Sequence, residues 1–108
     1  SPALDSLLDA TAPIEVLASG FKWTEGPVWL RDSQTLLFSD IPRNTIFAWS
    51  EADGLSTFLC PSGYTGKQPW GREPGSNGLT LNPQGHLVAC EHGDRRVSLL
   101  APTGGKLT

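Results

Sequence analysis

The chain has 108 residues, of which 38% are hydrophobic and 18% are charged, and its formal net charge is −3. No apolar run approaches the roughly 18 residues that a membrane span requires, and an acidic chain lacks the basic stripe that nucleic acid and anionic lipid demand. Twelve glycines and nine prolines predict an ordered chain with many tight turns. The composition therefore excludes membrane and nucleic-acid partners.

The predicted elements begin with a short helix over the first ten residues, within an N-terminal extension that ends at residue 13. Ser1 is the predicted N-cap, and Leu4, Leu7 and Leu8 share one face. From residue 14 onward, short apolar runs alternate with turn residues, which is typical of strands. The predicted strands are 14–17, 28–30, 36–38, 45–49, 55–59, 79–81, 87–90, 97–100 and a weak one at Leu107. Their spacing predicts an all-β meander.

The two cysteines, Cys60 and Cys90, cannot build a disulfide framework and lack the spacing of a metal site. Cys90 follows the apolar run 87–89 and is predicted to be a small buried thiol. Cys60 precedes Pro61 in a loop. Whether the two cysteines form a disulfide stays undecided at this point, and so does the cellular compartment of the protein.

An internal repeat becomes visible when the chain is shifted by 51 positions. Val28 then falls on Leu79 and Asp40 on Glu91, and the strand–turn–strand pattern is kept although few pairs are identical. A period of about 40–50 residues with several strands per unit is typical of a β-propeller blade; a chance match is the alternative. Propellers close with roughly four to eight blades, so we expect about two blades over residues 14–108, the first part of a larger ring.

A long loop over residues 60–76 separates the two copies of the repeat. It carries Tyr64, Trp70, Lys67 and Arg72. Loops of this length without secondary structure are commonly lids, binding loops or disordered segments, and the aromatic side chains favour a packed loop.

Polar side chains stand at the entrance of the first strand in both copies. Glu25 precedes Gly26, and Asn77 falls on Gly26, one step from the place of Glu25. Because the innermost strand of every blade lines the channel, we expect both side chains at one channel mouth. Carboxylate and amide oxygens suit Ca²⁺ or a similar divalent ion. A solvated acid and an Asn-Gly turn are the alternatives.

Asp40 and Glu91 form a second matched pair, at the end of the second strand in each copy. Since that strand returns to the mouth, Asp40 is expected beside Glu25 and Glu91 beside Asn77. His92 follows Glu91, and such a histidine is more often a structural hydrogen-bonding residue than a catalytic base.

Several segments together resemble the gluconolactonase/senescence-marker-protein family. They are residues 21–29, 37–42, 76–85, 89–93 and 95–97. The resemblance implies an all-β, six-bladed β-propeller that hydrolyses sugar lactones with one divalent metal ion in its channel. We expect this ion to be Ca²⁺, with Zn²⁺, Mg²⁺ and Mn²⁺ as alternatives.

The resemblance also implies roles for individual residues. Glu25 matches a metal-ligand glutamate, and Asn77 matches an asparagine that contacts the substrate or the metal. The remaining ligands and the general-base aspartate belong to later blades, so no catalytic residue is expected in this segment. The sugar-binding arginine of some members, two residues before the asparagine, is Gly75 here, and Arg72 is the expected substitute.

The sequence therefore predicts a metal-dependent lactone hydrolase. Glu25 and Asn77 hold the ion or the substrate, while Glu91, His92 and Arg72 contact a small lactone. The other expected partner is the rest of the same propeller, and residues 1–108 alone are expected to be inactive and to self-associate. The alternatives are a phosphotriester or aryl-ester hydrolase on the same scaffold and a non-catalytic propeller that binds peptide or sugar.

Overall fold

Residues 1–108 form two four-stranded antiparallel sheets in the computed structural model. The first sheet contains β1 Thr24–Leu30, β2 Thr35–Asp40, β3 Thr45–Ser50 and β4 Gly54–Leu59, in that order. The second contains β5 Ser76–Leu81, β6 Leu87–Glu91, β7 Arg96–Leu100 and β8 Lys106–Leu107. A turn of 3-10 helix, Ile41–Arg43, joins β2 to β3. Both sheets are meanders, which confirms the all-β prediction.

The N-terminal part of the chain differs from its prediction. The helix, α1, spans only Pro2–Asp5, because the leucines that follow have no surface to pack on. The predicted strand at residues 14–17 does not form: Ile14 and Val16 are exposed and no strand lies beside them to accept hydrogen bonds. No helix of this chain combines the length and the apolar character needed to cross a bilayer.

The hydrophobic core lies between the two sheets. Leu37, Ile46 and Ala48 from the first sheet pack with Leu87 from the second, and all four side chains are buried. Side chains alternate between the two faces of a strand, so Phe38 and Phe47 lie on the opposite face of the first sheet. There they contact Phe21, whose ring centroid is 5.0 Å from that of Phe38 and 5.2 Å from that of Phe47.

Both cysteines are free and exposed. The predicted burial of Cys90 is wrong because the inward positions of β6 are taken by Leu87, Ala89 and Glu91. Cys90 alternates with them and therefore faces the other side of the sheet.

The internal repeat is confirmed in the second and third strands of each sheet. Asp40 ends β2 and lies opposite Thr45, the first residue of β3. Glu91 ends β6 and lies opposite Arg96, the first residue of β7. The two sheets therefore superpose at the offset of 51 that the sequence shows.

The first strands follow a different offset. Thr24 lies opposite the last residue of β2, and Ser76 lies opposite the last residue of β6. This shifts β5 by 52 positions from β1, whereas β6 is shifted by 51 from β2, because the stretch from the start of β5 to the end of β6 is one residue shorter than the stretch from the start of β1 to the end of β2. Glu25 and Asn77 consequently occupy equivalent positions in the two sheets, which corrects the alignment of Asn77 with Gly26.

The two first strands meet through Gly26, which has a φ of +62°. A Cβ atom built there would lie 2.4 Å from the carbonyl oxygen of Asn77 and 2.9 Å from the backbone nitrogen of Leu79. Only glycine allows this approach, because both contacting atoms belong to the main chain and cannot rotate away.

We predict that Gly26→Ala lowers the free energy of unfolding of the full-length protein more than Gly54→Ala does. Gly54 has a similar φ of +69° and open space around it, so the alanine there meets only backbone strain of about 1–2 kcal/mol. At Gly26 the steric conflict adds about 1–3 kcal/mol. Urea denaturation of both variants checks this, and equal losses would contradict the close approach of β1 and β5.

Candidate functional site at the entrance of the first strands

Glu25 and Asn77 lie at the entrances of adjacent strands, near the same end of both sheets. Glu25 is exposed and makes no ion pair with the protein, and Asn77 is half-buried. The pairing register shifts directly after them, between Glu25 and Val28 in β1 and between Ser76 and Leu79 in β5. Such bulges turn side chains out of the regular ladder and are common beside binding sites.

The two side chains border different depressions of this segment. Glu25 borders a mainly apolar cavity of about 420 Å³ together with Phe21 and Phe38. Asn77 borders a polar groove of about 220 Å³, whose other lining residues are Cys90, Glu91, His92, Arg95 and Arg96. The strands β1 and β5 are adjacent, whereas the side chains of Glu25 and Asn77 line two different depressions.

Ser39 fixes the position of Asn77 from the neighbouring sheet. Its buried hydroxyl lies 2.8 Å from the hydroxyl of Ser76 and donates to the carbonyl oxygen of Asn77 at 3.0 Å. Ser39 is also the residue opposite Glu25 in the β1–β2 ladder. One serine thus links the positions of both candidate ligands.

The loop between the sheets, residues 60–75, is packed at this end of the molecule. The Asn44 side chain accepts hydrogen bonds from the backbone N–H groups of Ser62, Gly63 and Tyr64 and donates to the carbonyl oxygen of Tyr64. Asn44 has a φ of +54°, a conformation that asparagine tolerates better than most residues. The packed loop expected from the sequence is therefore present.

Asp40 is a structural residue in this arrangement. Its buried carboxylate accepts from the backbone N–H groups of Lys22 and Trp23, both at 3.2 Å. The Arg43 guanidinium lies 3.5 Å away. Asp40 lies opposite Thr24 and thereby holds the segment that leads to Glu25, without facing a ligand itself.

Glu91 is fully engaged within its own sheet. One carboxylate oxygen lies 2.5 Å from Nε of Arg96, and the other accepts from the Ser98 hydroxyl at 2.5 Å and from the Lys106 ammonium. Its side chain has no exposed surface in this segment, so additional blades cannot make it accessible. We therefore infer a structural role for Glu91 rather than contact with a substrate.

Opposing effects set the pKa of Glu91. Burial acts to raise the pKa of the carboxyl, but the hydrogen bonds from Lys106, Ser98 and Arg96, with the charge of Lys106, outweigh it. The pKa is lowered from its ordinary value of 4.5. A lowered pKa means that Glu91 stabilises the fold above about pH 4.5 and that this contribution is lost as the pH falls further.

We predict that Glu91→Gln destabilises the protein at pH 7 by about 3 kcal/mol, because Arg96 and Lys106 lose their buried counter-charge. The deficit relative to the wild type should shrink as the pH falls below 4.5, because the unfolded wild-type chain takes up a proton at Glu91 before the folded chain does. Thermal melts of both proteins between pH 3 and pH 7 test this. A deficit that stays constant over that range would contradict the ion-pair network.

His92 connects the loop to the second sheet. Its Nδ1 lies 2.9 Å from the carbonyl oxygen of Glu73, and because a carbonyl only accepts, Nδ1 carries the hydrogen. The ring packs edge-on against Trp70 with a centroid distance of 4.8 Å. The ring borders the polar groove, so the structural contact and the predicted substrate contact are compatible.

Arg72 and Arg95 differ from the sequence-based assignment. Arg72 is exposed on the loop and does not line the polar groove. Arg95 does line it, and its guanidinium carbon lies 5.2 Å from the centroid of the Trp70 ring. The sequence contained a signal for Arg95, since the repeat aligns it with Asn44 at the same left-handed turn position.

The residues of this segment fit part of a cation site. The structure brings together no group of three or more His, Cys, Asp or Glu side chains that could hold a metal ion. Glu25 contributes a carboxylate without a counter-charge, and Asn77 contributes an amide oxygen on the adjacent strand. Because Ca²⁺ takes about 6–8 oxygen ligands, these two residues are compatible with a site that other parts of the protein complete.

Comparison with known proteins identifies the family. The family model for the SMP-30/gluconolactonase/LRE-like region matches residues 23–108. The chain belongs to the SMP-30/gluconolactonase family. The match begins one residue before β1 and includes both sheets, the connecting loop and the polar groove.

Relatives within the SMP-30/gluconolactonase family are similar over nearly the whole chain. A gluconolactonase of Zymomonas mobilis is 45% identical over 104 residues, which are 94% of this chain and 29% of that protein. A solved structure assigned provisionally as a gluconolactonase is 39% identical, with a TM-score of 0.75, and covers 93% of this chain and 31% of its own. A solved gluconolactonase of Xanthomonas campestris is 27% identical, with a TM-score of 0.63, over 80% of this chain and 25% of its own.

These structural relatives confirm the predicted partial β-propeller, in which each four-stranded sheet is one blade. The chain spans between a quarter and about three tenths of the length of these relatives.

Proposed function

We propose that this chain contributes two blades to an enzyme that opens sugar lactones by hydrolysis. Its 45% identity over 104 residues to a gluconolactonase is the observation that carries the proposal. The local chemistry agrees, because the Glu25 carboxylate, which has no basic partner, and the Asn77 amide oxygen lie at equivalent positions of two adjacent strands. The activity belongs to the full-length protein, meaning this segment together with the remaining blades.

We further propose that Glu25 and Asn77 hold a divalent cation at the channel mouth, with Ca²⁺ as the first choice and Zn²⁺, Mg²⁺ or Mn²⁺ as alternatives. Carboxylate and amide oxygens are ligands that hard cations prefer. A bound cation of this kind supplies Lewis-acid polarisation of a carbonyl and lowers the pKa of water. Glu25 would contribute the negative charge that dominates affinity.

The residues of this segment have separate tasks in the proposed reaction. The amide of Asn77 can donate a hydrogen bond to the lactone oxygen on which negative charge develops, and such a positioned donor stabilises the transition state. Ser39 and Gly26 keep Asn77 in place through the main chain of β5. His92 lines the adjoining groove and packs edge-on against Trp70. The residue that activates water is expected in another blade.

The alternatives within the scaffold have less support. A phosphotriester or aryl-ester hydrolase and a non-catalytic binding propeller are both compatible with a fold that hosts several functions. The similar proteins of Zymomonas mobilis and Xanthomonas campestris are gluconolactonases, which favours lactone hydrolysis for this chain.

We predict that Glu25→Gln weakens the binding of a divalent cation by the full-length protein at least 10-fold and lowers lactone hydrolysis in parallel, because the charged ligand is lost. Glu51→Gln is the matched control, since Glu51 is exposed in the turn after β3, away from the site. Calorimetric titration with Ca²⁺ measures the affinity. Equal affinities of the Glu25 variant and the wild type would exclude Glu25 as a ligand.

We predict that Asn77→Ala lowers kcat for gluconolactone about 10²-fold, the scale of losing one positioned donor. The fold should survive because the contacts of Asn77 to Ser39 and Gly26 involve only its main chain. Steady-state kinetics and a thermal melt separate the two effects. Wild-type turnover combined with a strongly lowered Tm would show that Asn77 is only a turn residue.

A further inference from the structure

Arg95 occupies a backbone position that does not favour arginine. Its φ is +55°, and the repeat places it at the position of Asn44, whose φ is +54°. Asparagine is enriched in this left-handed conformation, whereas a long side chain gains nothing from it. Residues kept in such conformations against their preference are concentrated at functional sites. Local backbone geometry therefore does not explain the arginine.

The two equivalent side chains also differ in what they contact. Asn44 uses its amide to hold the loop through four hydrogen bonds. The Arg95 guanidinium makes no ion pair with any carboxylate of the chain. By contrast, the neighbouring cations Arg96 and Lys106 are both paired with Glu91. Arg95 is thus the cation of the polar groove that has no acidic partner.

The Arg95 side chain is nevertheless held in place. Its guanidinium carbon lies 5.2 Å from the centroid of Trp70, within the range of a cation–π contact. Trp70 is fixed in turn by the edge-on ring of His92 and by Tyr64, whose centroid is 6.1 Å away. A stacked guanidinium keeps its N–H donors available while losing less freedom when a ligand binds.

We propose that Arg95 is a specificity-determining residue that donates hydrogen bonds to hydroxyl and carboxylate oxygens of a polyhydroxylated lactone and of the sugar acid formed from it. Trp70 is the positioning residue for Arg95. This inference rests on the proposed function, and it assigns to Arg95 the role that the sequence had suggested for Arg72. Arg95 borders the same groove as Asn77, so a molecule held by Asn77 lies within the reach of its side chain.

The chemistry of the groove favours a hydroxylated ligand over an alkyl lactone. Five guanidinium N–H donors match several oxygen acceptors, while an alkyl chain offers them none. A site built to hydrogen-bond hydroxyl groups discriminates strongly against an analogue that lacks them, because its donors are left without partners.

The test compares two substrates with the full-length protein. Arg95→Gln should lower kcat/KM for glucono-1,5-lactone about 10- to 100-fold, mainly through KM, and change kcat/KM for δ-valerolactone less than 2-fold. Arg31→Gln, the same substitution on an exposed residue in the turn at the far end of β1, should leave both values unchanged. Equal losses on both lactones, or a gluconolactone-specific loss in Arg72→Gln instead of Arg95→Gln, would overturn the inference.

The role of Trp70 has its own pair of variants. Trp70→Leu should raise KM for glucono-1,5-lactone, because the guanidinium loses its aromatic support, and Trp70→Phe should restore most of the wild-type value. A purely structural role for Trp70 would instead lower the Tm without separating the two substrates. That result would remove Trp70 from the inference.

Binding of gluconate separates this inference from the proposed function. Calorimetry should show that Arg95→Gln weakens gluconate binding at least 10-fold, while Arg31→Gln does not. If the wild type hydrolyses no lactone but binds gluconate in an Arg95-dependent way, the proposed function fails and the inference stands. If the wild type is active and Arg95→Gln leaves both kinetics and gluconate affinity unchanged, the inference fails and the proposed function stands.

Discussion

Gly26 lies so close to the main chain of β5 that no side chain fits between the first strands of the two blades. This contact sets the spacing of the blades at the end where Glu25 and Asn77 lie, and the hydroxyl of Ser39 secures it through the carbonyl oxygen of Asn77. A backbone contact of this kind leaves little freedom of adjustment, because main-chain atoms cannot change rotamer. The geometry of the proposed cation site therefore follows from the packing of two strands rather than from the ligands themselves.

The surrounding polar residues fall into two groups. The first group stabilises this end of the propeller, and the second has charged side chains that are free to contact a ligand. Asp40, Asn44 and Glu91 are engaged with backbone N–H groups or with basic side chains, and they account for the order of the strand ends and of the loop. Glu25 and Arg95 make no ion pair with the chain. This separation supports the structural role inferred for the first group and the ligand-binding role proposed for the second.

Most of the fold could be predicted from the sequence, and so could the positions of the candidate ligands, because strand patterns and the repeat are local properties. The equivalence of Glu25 and Asn77 was missed by one position, since the first two strands and their connection are together one residue shorter in the second blade. The engagement of Glu91 depends on Lys106 in the weakly predicted β8. The unpaired segment 14–17 shows that an apolar pattern forms a strand only where a neighbouring strand is present.

Glu25 and Asn77 are proposed to belong to one cation site at the mouth of the channel. The most direct measurement is a crystal structure of the full-length protein grown with Ca²⁺ and compared with one in which terbium replaces it, so that anomalous scattering locates the ion. We expect a single ion with side-chain oxygens of both Glu25 and Asn77 at about 2.3–2.6 Å. An ion coordinated elsewhere, or one that contacts neither residue, would contradict it.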